Sequence, residues 1–332
     1  MGLIQIFCLE LSLILTGAVL HATEIRQTGW TGKLLVIPMD GSHWTGLKAV
    51  SEDLGRRGHE VMVVMPEVSM RLGPGKHYTT KTFAVPYSQD LLDNMTRRHG
   101  EILKMSKVSF IKRINMFLEN MKDILYIFTS TSESLLFDPE LLAFLREQNF
   151  DALLTDPAFP LGAILAHNLS LPAVYMLRGM PCGLDTKATG CPDPVSYIPR
   201  FFTRYTDRMS FGQRVVNLLV SMLEPLMCKL LYGSLDDIAS RLMHRDTTVL
   251  DILKGGALWL MRYDFMLEFP KPLMPNMVLI GGINCAVKNP LPKVSLSAAV
   301  GSGKFTKYRA LAMKPMMDHF KINYLHLHVL PI

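Results

Sequence analysis

The chain has 332 residues, 49% hydrophobic and 19% charged, enough apolar material for one large or two medium domains with a buried core. Lys and Arg number 35 against 29 Asp and Glu, a net charge of +6. The excess is spread along the chain with no basic run interleaved with aromatics, which argues against a nucleic-acid-binding protein.

Residues 3–20, LIQIFCLELSLILTGAVL, form an apolar stretch that ends at His21-Ala22 before polar Thr23-Glu24. This pattern predicts a signal peptide over 1–22. No Lys or Arg precedes the apolar core and Glu10 lies inside it, so an uncleaved helix or anchor is the competing reading. Asn94-Met95-Thr96 and Asn168-Leu169-Ser170 are glycosylation candidates for a lumenal protein.

The run LLVIP, a helical spacing of Leu47, Val50 and Leu54, a stop at Gly58 and the run EVMVVMP predict a right-handed βαβ unit. Both runs are apolar on both faces, as in a covered parallel sheet. Residues 67–100 read as irregular, 101–128 as helical and Leu135–Asn149 as an amphipathic helix. DALLTDP (151–157) then reads as a buried strand, Leu161–Asn168 as a helix and LPAVYML (171–177) as a strand. Cys182 and Cys191 enclose a short loop; they either pair in an oxidising lumen or remain two half-buried thiols. Ser210–Leu231 reads as a long helix in which Glu224-Pro225 argues against a membrane span. ALWLMR (257–262) and MVLIGG (277–282) complete the strands. The alternation predicts an α/β fold, a doubly wound parallel sheet.

The last forty residues show no clear period. Gly301-Ser302-Gly303-Lys304 is not a phosphate loop, because Ala298 stands at the required earlier glycine and Phe305 where Ser or Thr must bind magnesium. His326 and His328 have no third ligand at a sensible spacing, and no Cys-x-x-Cys pair or zinc spacing occurs, so no metal is implied.

Ligands of a parallel α/β sheet gather at the carboxyl ends of its strands. His43 follows the first strand and Asp156 ends the DALLTDP strand, so both belong on one rim. An Asp accepting the Nδ1 proton fixes the imidazole tautomer and leaves Nε2 to take a proton from a hydroxyl. The competing readings are plain: Asp40 or Ser42 caps the helix, and Asp156 before Pro157 merely forms a turn.

Several stretches carry a family resemblance: DGSHW, GHEVMVVMPE, FDALLTDPAFP, LSLPAVYMLRGMPC, CPDPVSYIPR, DRMSFGQRVVNLL and YDFMLEFPKPLMPNMVLIGGINC. In this order, from about residue 30 to about residue 292, they resemble the UDP-glucuronosyltransferases of family 1 type. The resemblance implies a GT-B fold of two Rossmann-like domains, the first holding a lipophilic acceptor and the second UDP-glucuronic acid. UDP-glucuronic acid is then a co-substrate, with no cofactor. It also implies His43 as general base, Asp156 as its carboxylate partner, and inverting transfer to phenols, steroids, bilirubin-like or xenobiotic acceptors. The predicted signal peptide gives the expected location, the lumenal side of the endoplasmic reticulum, in association with its membrane.

The expected domains are the signal peptide 1–22, an acceptor-binding domain over 23–292 and an unrelated, disordered tail over 293–332. The resemblance stops at about Asn289–Pro292, so the donor half is expected to be absent and the chain inactive alone. Val294-Ser295 fits translation through a splice donor. The alternative is a truncated non-catalytic subunit or isoform that forms homo- or hetero-oligomers with full-length relatives.

Overall fold

In the computed structural model the described residues are 31–104, 110–200, 203, 205–265 and 268–283. The predicted signal peptide, the Gly301–Lys304 stretch, His326, His328 and the rest of the tail from Lys293 lie outside them. Two compact units are present. The described part of the larger lies within residues 31–192, 225–265 and 272–283; that of the smaller lies within Asp193–Glu224 and Glu268–Lys271.

The larger unit contains a seven-stranded parallel sheet. In chain order the elements are β1 (Lys33–Ile37), α1 (Trp44–Arg56), β2 (Glu60–Pro66), β3 (Thr79–Phe83), α2 (Gln89–Lys104), α3 (Phe110–Leu136), α4 (Pro139–Glu147), β4 (Ala152–Thr155), α5 (Leu161–Asn168), β5 (Ala173–Leu177), α6 (Leu184–Thr189), α7 (Phe211–Met243), α8 (Val249–Leu253), β6 (Gly256–Met261) and β7 (Met277–Leu279). The strand order is β3-β2-β1-β4-β5-β6-β7, and every neighbouring pair is parallel. This is the Rossmann-like doubly wound order, with the topological switch point between β1 and β4.

The strands divide their side chains between two cores with period two. Leu35, Ile37, Leu153, Tyr175, Leu177 and Trp259 face one core, which α5, α8 and the end of α7 also line. Leu34, Val36, Leu154, Val174, Met176 and Leu260 face the other, covered by Trp44, Leu47, Val50 and Leu54 of α1. Those four helix residues recur at spacings of three or four, so they form one buried stripe. Leu47 is fully buried, a contribution of about 1.5–3 kcal/mol for a side chain of its size. The helix ends where Gly58 takes a φ of +99°, and His59 N–H donates back to Leu54 O at 3.2 Å.

Three predicted boundaries are corrected. Residues 67–100 contain β3 and α2. β3 is an edge strand with four exposed positions, and its Thr-Thr-Lys-Thr run shows no apolar alternation in the sequence. The helix predicted over Leu135–Asn149 is divided. α3 ends at Leu136, and α4 restarts after Asp138, whose carboxylate accepts from Leu141 N–H at 2.9 Å, with Pro139 in the first turn. The helix predicted over Ser210–Leu231 runs on through Pro225 to Met243. It is the one described helix long and apolar enough, by length and composition, to cross a membrane. Asn217 and Glu224 on one of its faces are buried.

In the smaller unit that buried face is polar and hydrogen-bonded. Asn217 Nδ2 donates to the carbonyls of Val195 and Ile198 at 2.7 and 2.9 Å, and its Oδ1 accepts from Arg200 N–H at 2.8 Å. The buried Arg200 guanidinium pairs with Asp193 and lies 3.7 Å from Glu224.

Candidate active site

β1 and β4 end together at the switch point, with Ile37 opposite Thr155 in the ladder. Beyond β1 the chain turns through Asp40-Gly41-Ser42, Gly41 taking a φ of +78°, and enters α1 at His43. Beyond β4 the next residue is Asp156. The structure brings the two predicted residues together: His43 Nδ1 lies 2.7 Å from Asp156 Oδ2. The Asp156 side chain is fully buried and that of His43 is 32% exposed. An ionised carboxylate only accepts, so opposite an ionised Asp156 it is Nδ1 that carries the proton of this hydrogen bond, and a ring holding its single proton there has its lone pair at Nε2.

The same geometry bears on the competing readings. Asp40 does not cap α1: its oxygens accept from the N–H groups of Gly41, Met70 and Arg71 at 2.6, 2.6 and 3.0 Å, tying the turn to the following loop. His43 itself is the N-cap, and no side chain caps it. Asp156 is both a turn former and a partner, because Oδ1 accepts from Ala158 N–H at 3.0 Å while Oδ2 faces His43. With both oxygens committed, the carboxylate is held in one orientation.

Two residues absent from the sequence-based candidates reach this rim. Arg178 follows β5 and Arg262 follows β6. Arg262 Nη1 donates to the His43 carbonyl oxygen at 3.2 Å. Burial pushes the Arg262 guanidinium below its ordinary value, the Asp156 charge pulls it back up, and Arg178 adds to the lowering. The only sequence signal for either arginine is its place directly after a buried strand.

The other predicted positions lie elsewhere. Asn94 is exposed on α2, with Arg97 donating to its Oδ1 at 3.0 Å. Asn168 ends α5 and accepts from Arg146 at 3.1 Å. Cys182 and Cys191 are both buried. No disulfide joins them in this structure, and the Cys191 thiol donates to Pro272 O at 3.2 Å. No group of three His, Cys, Asp or Glu side chains suited to a metal occurs among the described residues.

Residues 32–304 match the family model described as UDP-glucoronosyl and UDP-glucosyl transferase, a span that runs past Pro292. The chain is 45% identical over 259 residues to UDP-glucuronosyltransferase 1A6 of Homo sapiens, covering 78% of this chain and 48% of that protein. It is 40% identical over 282 residues to UDP-glucuronosyltransferase 1A1 of Rattus norvegicus, covering 84% and 52%. The chain thus spans about half the length of the curated relatives it matches. Among solved structures, the spinosyn forosaminyltransferase SpnP is similar with a TM-score of 0.39 and 17% identity, over 75% of this chain and 50% of that one.

Proposed function

The chain belongs to the UDP-glucoronosyl and UDP-glucosyl transferase family, and on that premise we propose that its sheet is the acceptor-binding half of a glucuronosyltransferase with His43 as general base. The observation that carries this reading is the contact between His43 and the buried Asp156 at the switch point. The acceptor is a small lipophilic phenol, alcohol or amine. As its oxygen or nitrogen attacks C1 of the glucuronic acid in UDP-glucuronic acid, the acceptor proton passes to His43 Nε2. The bond from C1 to that acceptor atom forms, the bond from C1 to the diphosphate oxygen breaks, and UDP leaves with inversion at C1. Asp156 holds the ring and stabilises the imidazolium that forms. UDP-glucuronic acid is a co-substrate, and the chemistry requires no resident metal.

Acceptor binding and transfer, measured on the same protein with a phenolic acceptor and UDP-glucuronic acid, test this. His43→Gln is expected to lower transfer on the order of a hundredfold or more, the usual weight of a general base, while leaving acceptor affinity within about threefold. Transfer that survives His43→Gln overturns the assignment of the base, and absence of acceptor binding overturns the acceptor-domain reading. Acceptor binding without transfer in the unsubstituted chain makes it a non-catalytic subunit.

We further propose that the protein lies against the lumenal surface of the endoplasmic reticulum membrane through the first half of α7. Phe211, Val215, Leu218, Leu219, Met222 and Leu223 are all exposed, Phe211 at 84% and Met222 at 65%. At 100° per residue they fall on an arc of about 140°, opposite the buried Asn217 and Glu224. Such a stripe suits lipid better than water. Its charge supports the same occupant: Arg208 and Arg214 are exposed beside it, Asp207 next to Arg208 is half-buried, and Glu224, the one acidic residue within the first half of the helix, is buried. A basic border favours anionic headgroups.

A further inference from the structure

Arg262 is anchored at its backbone, where its N–H donates to Leu177 O at 2.6 Å. Its side chain runs back against the first turn of α1, where Nη1 meets the His43 carbonyl and Nε is buried with no hydrogen-bond partner among the described residues. Residue 46 makes the room. A Cβ on Gly46 would stand 2.9 Å from Arg262 Cζ, 3.0 Å from Nε and 3.0 Å from Met176 Cε. Gly46 sits inside a helix, where glycine costs about 1 kcal/mol relative to alanine. Close approach of the guanidinium accounts for a glycine here.

The turn before His43 needs such an anchor. Gly41 takes a left-handed φ, and α1 begins without a side-chain cap. Upstream, Asp40 ties the turn to Met70 and Arg71. Downstream, the Arg262 guanidinium is the group that grips the backbone of His43 itself. The imidazole stands between these two ties and must meet a carboxylate that is itself immobilised by Ala158 N–H. A small shift of the α1 terminus would break the contact with Asp156, since hydrogen bonds weaken steeply with distance and angle.

We propose that Arg262 is a positioning residue whose guanidinium, seated over Gly46, clamps the His43 backbone so that the imidazole meets Asp156. The proposal rests on the reading of His43 as a base, but its test does not require turnover. In the full 332-residue chain with 15N-labelled histidine, the His43 Nδ1–H is identified as the protected imidazole proton lost in His43→Gln. Arg262→Leu is expected to speed exchange of that proton on the order of tenfold, as for loss of one hydrogen bond from a charged donor.

Gly46→Ala keeps the arginine but displaces the end of its flexible side chain. It is expected to produce the same faster exchange while Tm falls by only a few degrees, about 1 kcal/mol. Protection unchanged in both variants overturns the clamp while leaving the His43–Asp156 pair intact. Faster exchange in Arg262→Leu alone also overturns it, since that outcome reports general loosening. No protected His43 proton in the unsubstituted chain removes the pair, and with it both the clamp and the assignment of His43 as an oriented base.

Discussion

Thr155 Oγ1 donates to the carbonyl oxygen of Ile37 at 2.7 Å, and the same two residues face each other at the carboxyl ends of β4 and β1. The side-chain bond reinforces the ladder where the chain delivers His43 from one strand and Asp156 from the other. Thr155→Val keeps the shape and removes the donor, so it is expected to cost about 1 kcal/mol in urea unfolding with an unchanged slope. The hydroxyl is also held from the other side. A Cβ on Gly162 would lie 2.3 Å from Thr155 Oγ1 and 2.6 Å from its Cβ. Gly162→Ala is therefore expected to cost more, about 1–3 kcal/mol from overpacking. Equal stability of Gly162→Ala and the parent chain would show that α5 can move off β4.

The central strands were legible because they are covered on both faces. LLVI, ALLT and AVYML are continuous apolar runs, and that pattern implies a parallel sheet before any contact is known. β3 was not legible, since an edge strand carrying Thr79, Thr80, Lys81 and Thr82 buries too little to leave a period. The switch point was half legible: the rule that ligands gather at carboxyl ends picked out His43 and Asp156, but their 2.7 Å contact needed the β1–β4 pairing. Arg262 and Gly46 were not legible together. Their meeting depends on where α1 crosses the strands, and a lone Gly inside a helical pattern signals only a weaker helix.

Asn217 should be among the most sensitive positions of the smaller unit. Its side chain serves two carbonyls and one N–H at once. Asn217→Ala leaves those three backbone groups without their partner and is expected to cost about 2 kcal/mol or more. Asn217→Asp fares worse than a conservative exchange suggests, because it turns an acceptor toward the carbonyls of Val195 and Ile198. Hydrogen exchange of the Arg200 amide is the local measure. Protection retained in Asn217→Ala would mean that the side chain is not what orders the 193–200 segment.

The exposed stripe of α7 predicts binding to vesicles of phosphatidylcholine with phosphatidylserine. Leu219→Glu combined with Met222→Glu is expected to lower the sedimented fraction on the order of tenfold, because two apolar side chains then carry charge into the interface. Raising salt weakens binding of the unsubstituted chain only in part, since Arg208 and Arg214 supply the screened component and the apolar face the rest. A concentration-dependent dimer in the absence of lipid, dissolved by the same substitutions, would assign the face to a second copy of the chain.

The start of α8 carries a pH-dependent prediction whose sign follows from its capping box. Thr248 Oγ1 accepts from Asp251 N–H at 3.2 Å, and Asp251 Oδ2 accepts from Thr248 N–H at 3.3 Å and from its hydroxyl at 2.6 Å. These bonds from Thr248, followed by Lys254, hold the Asp251 carboxyl down from 3.8 to about 2. A depressed carboxylate contributes stability above its unfolded value and loses it as pH falls through the folded one. Asp251→Asn should therefore be less stable than the parent at pH 7, by about 0.5–1 kcal/mol for a capping interaction on a side chain this exposed. The gap should narrow as pH is lowered from about 4 toward about 2. Because both chains share every other carboxylate, the difference between their urea midpoints isolates this group. A gap that stays constant across the window would mean that the Asp251 charge contributes nothing and that α8 is held by the burial of Val249, Ile252 and Leu253 alone.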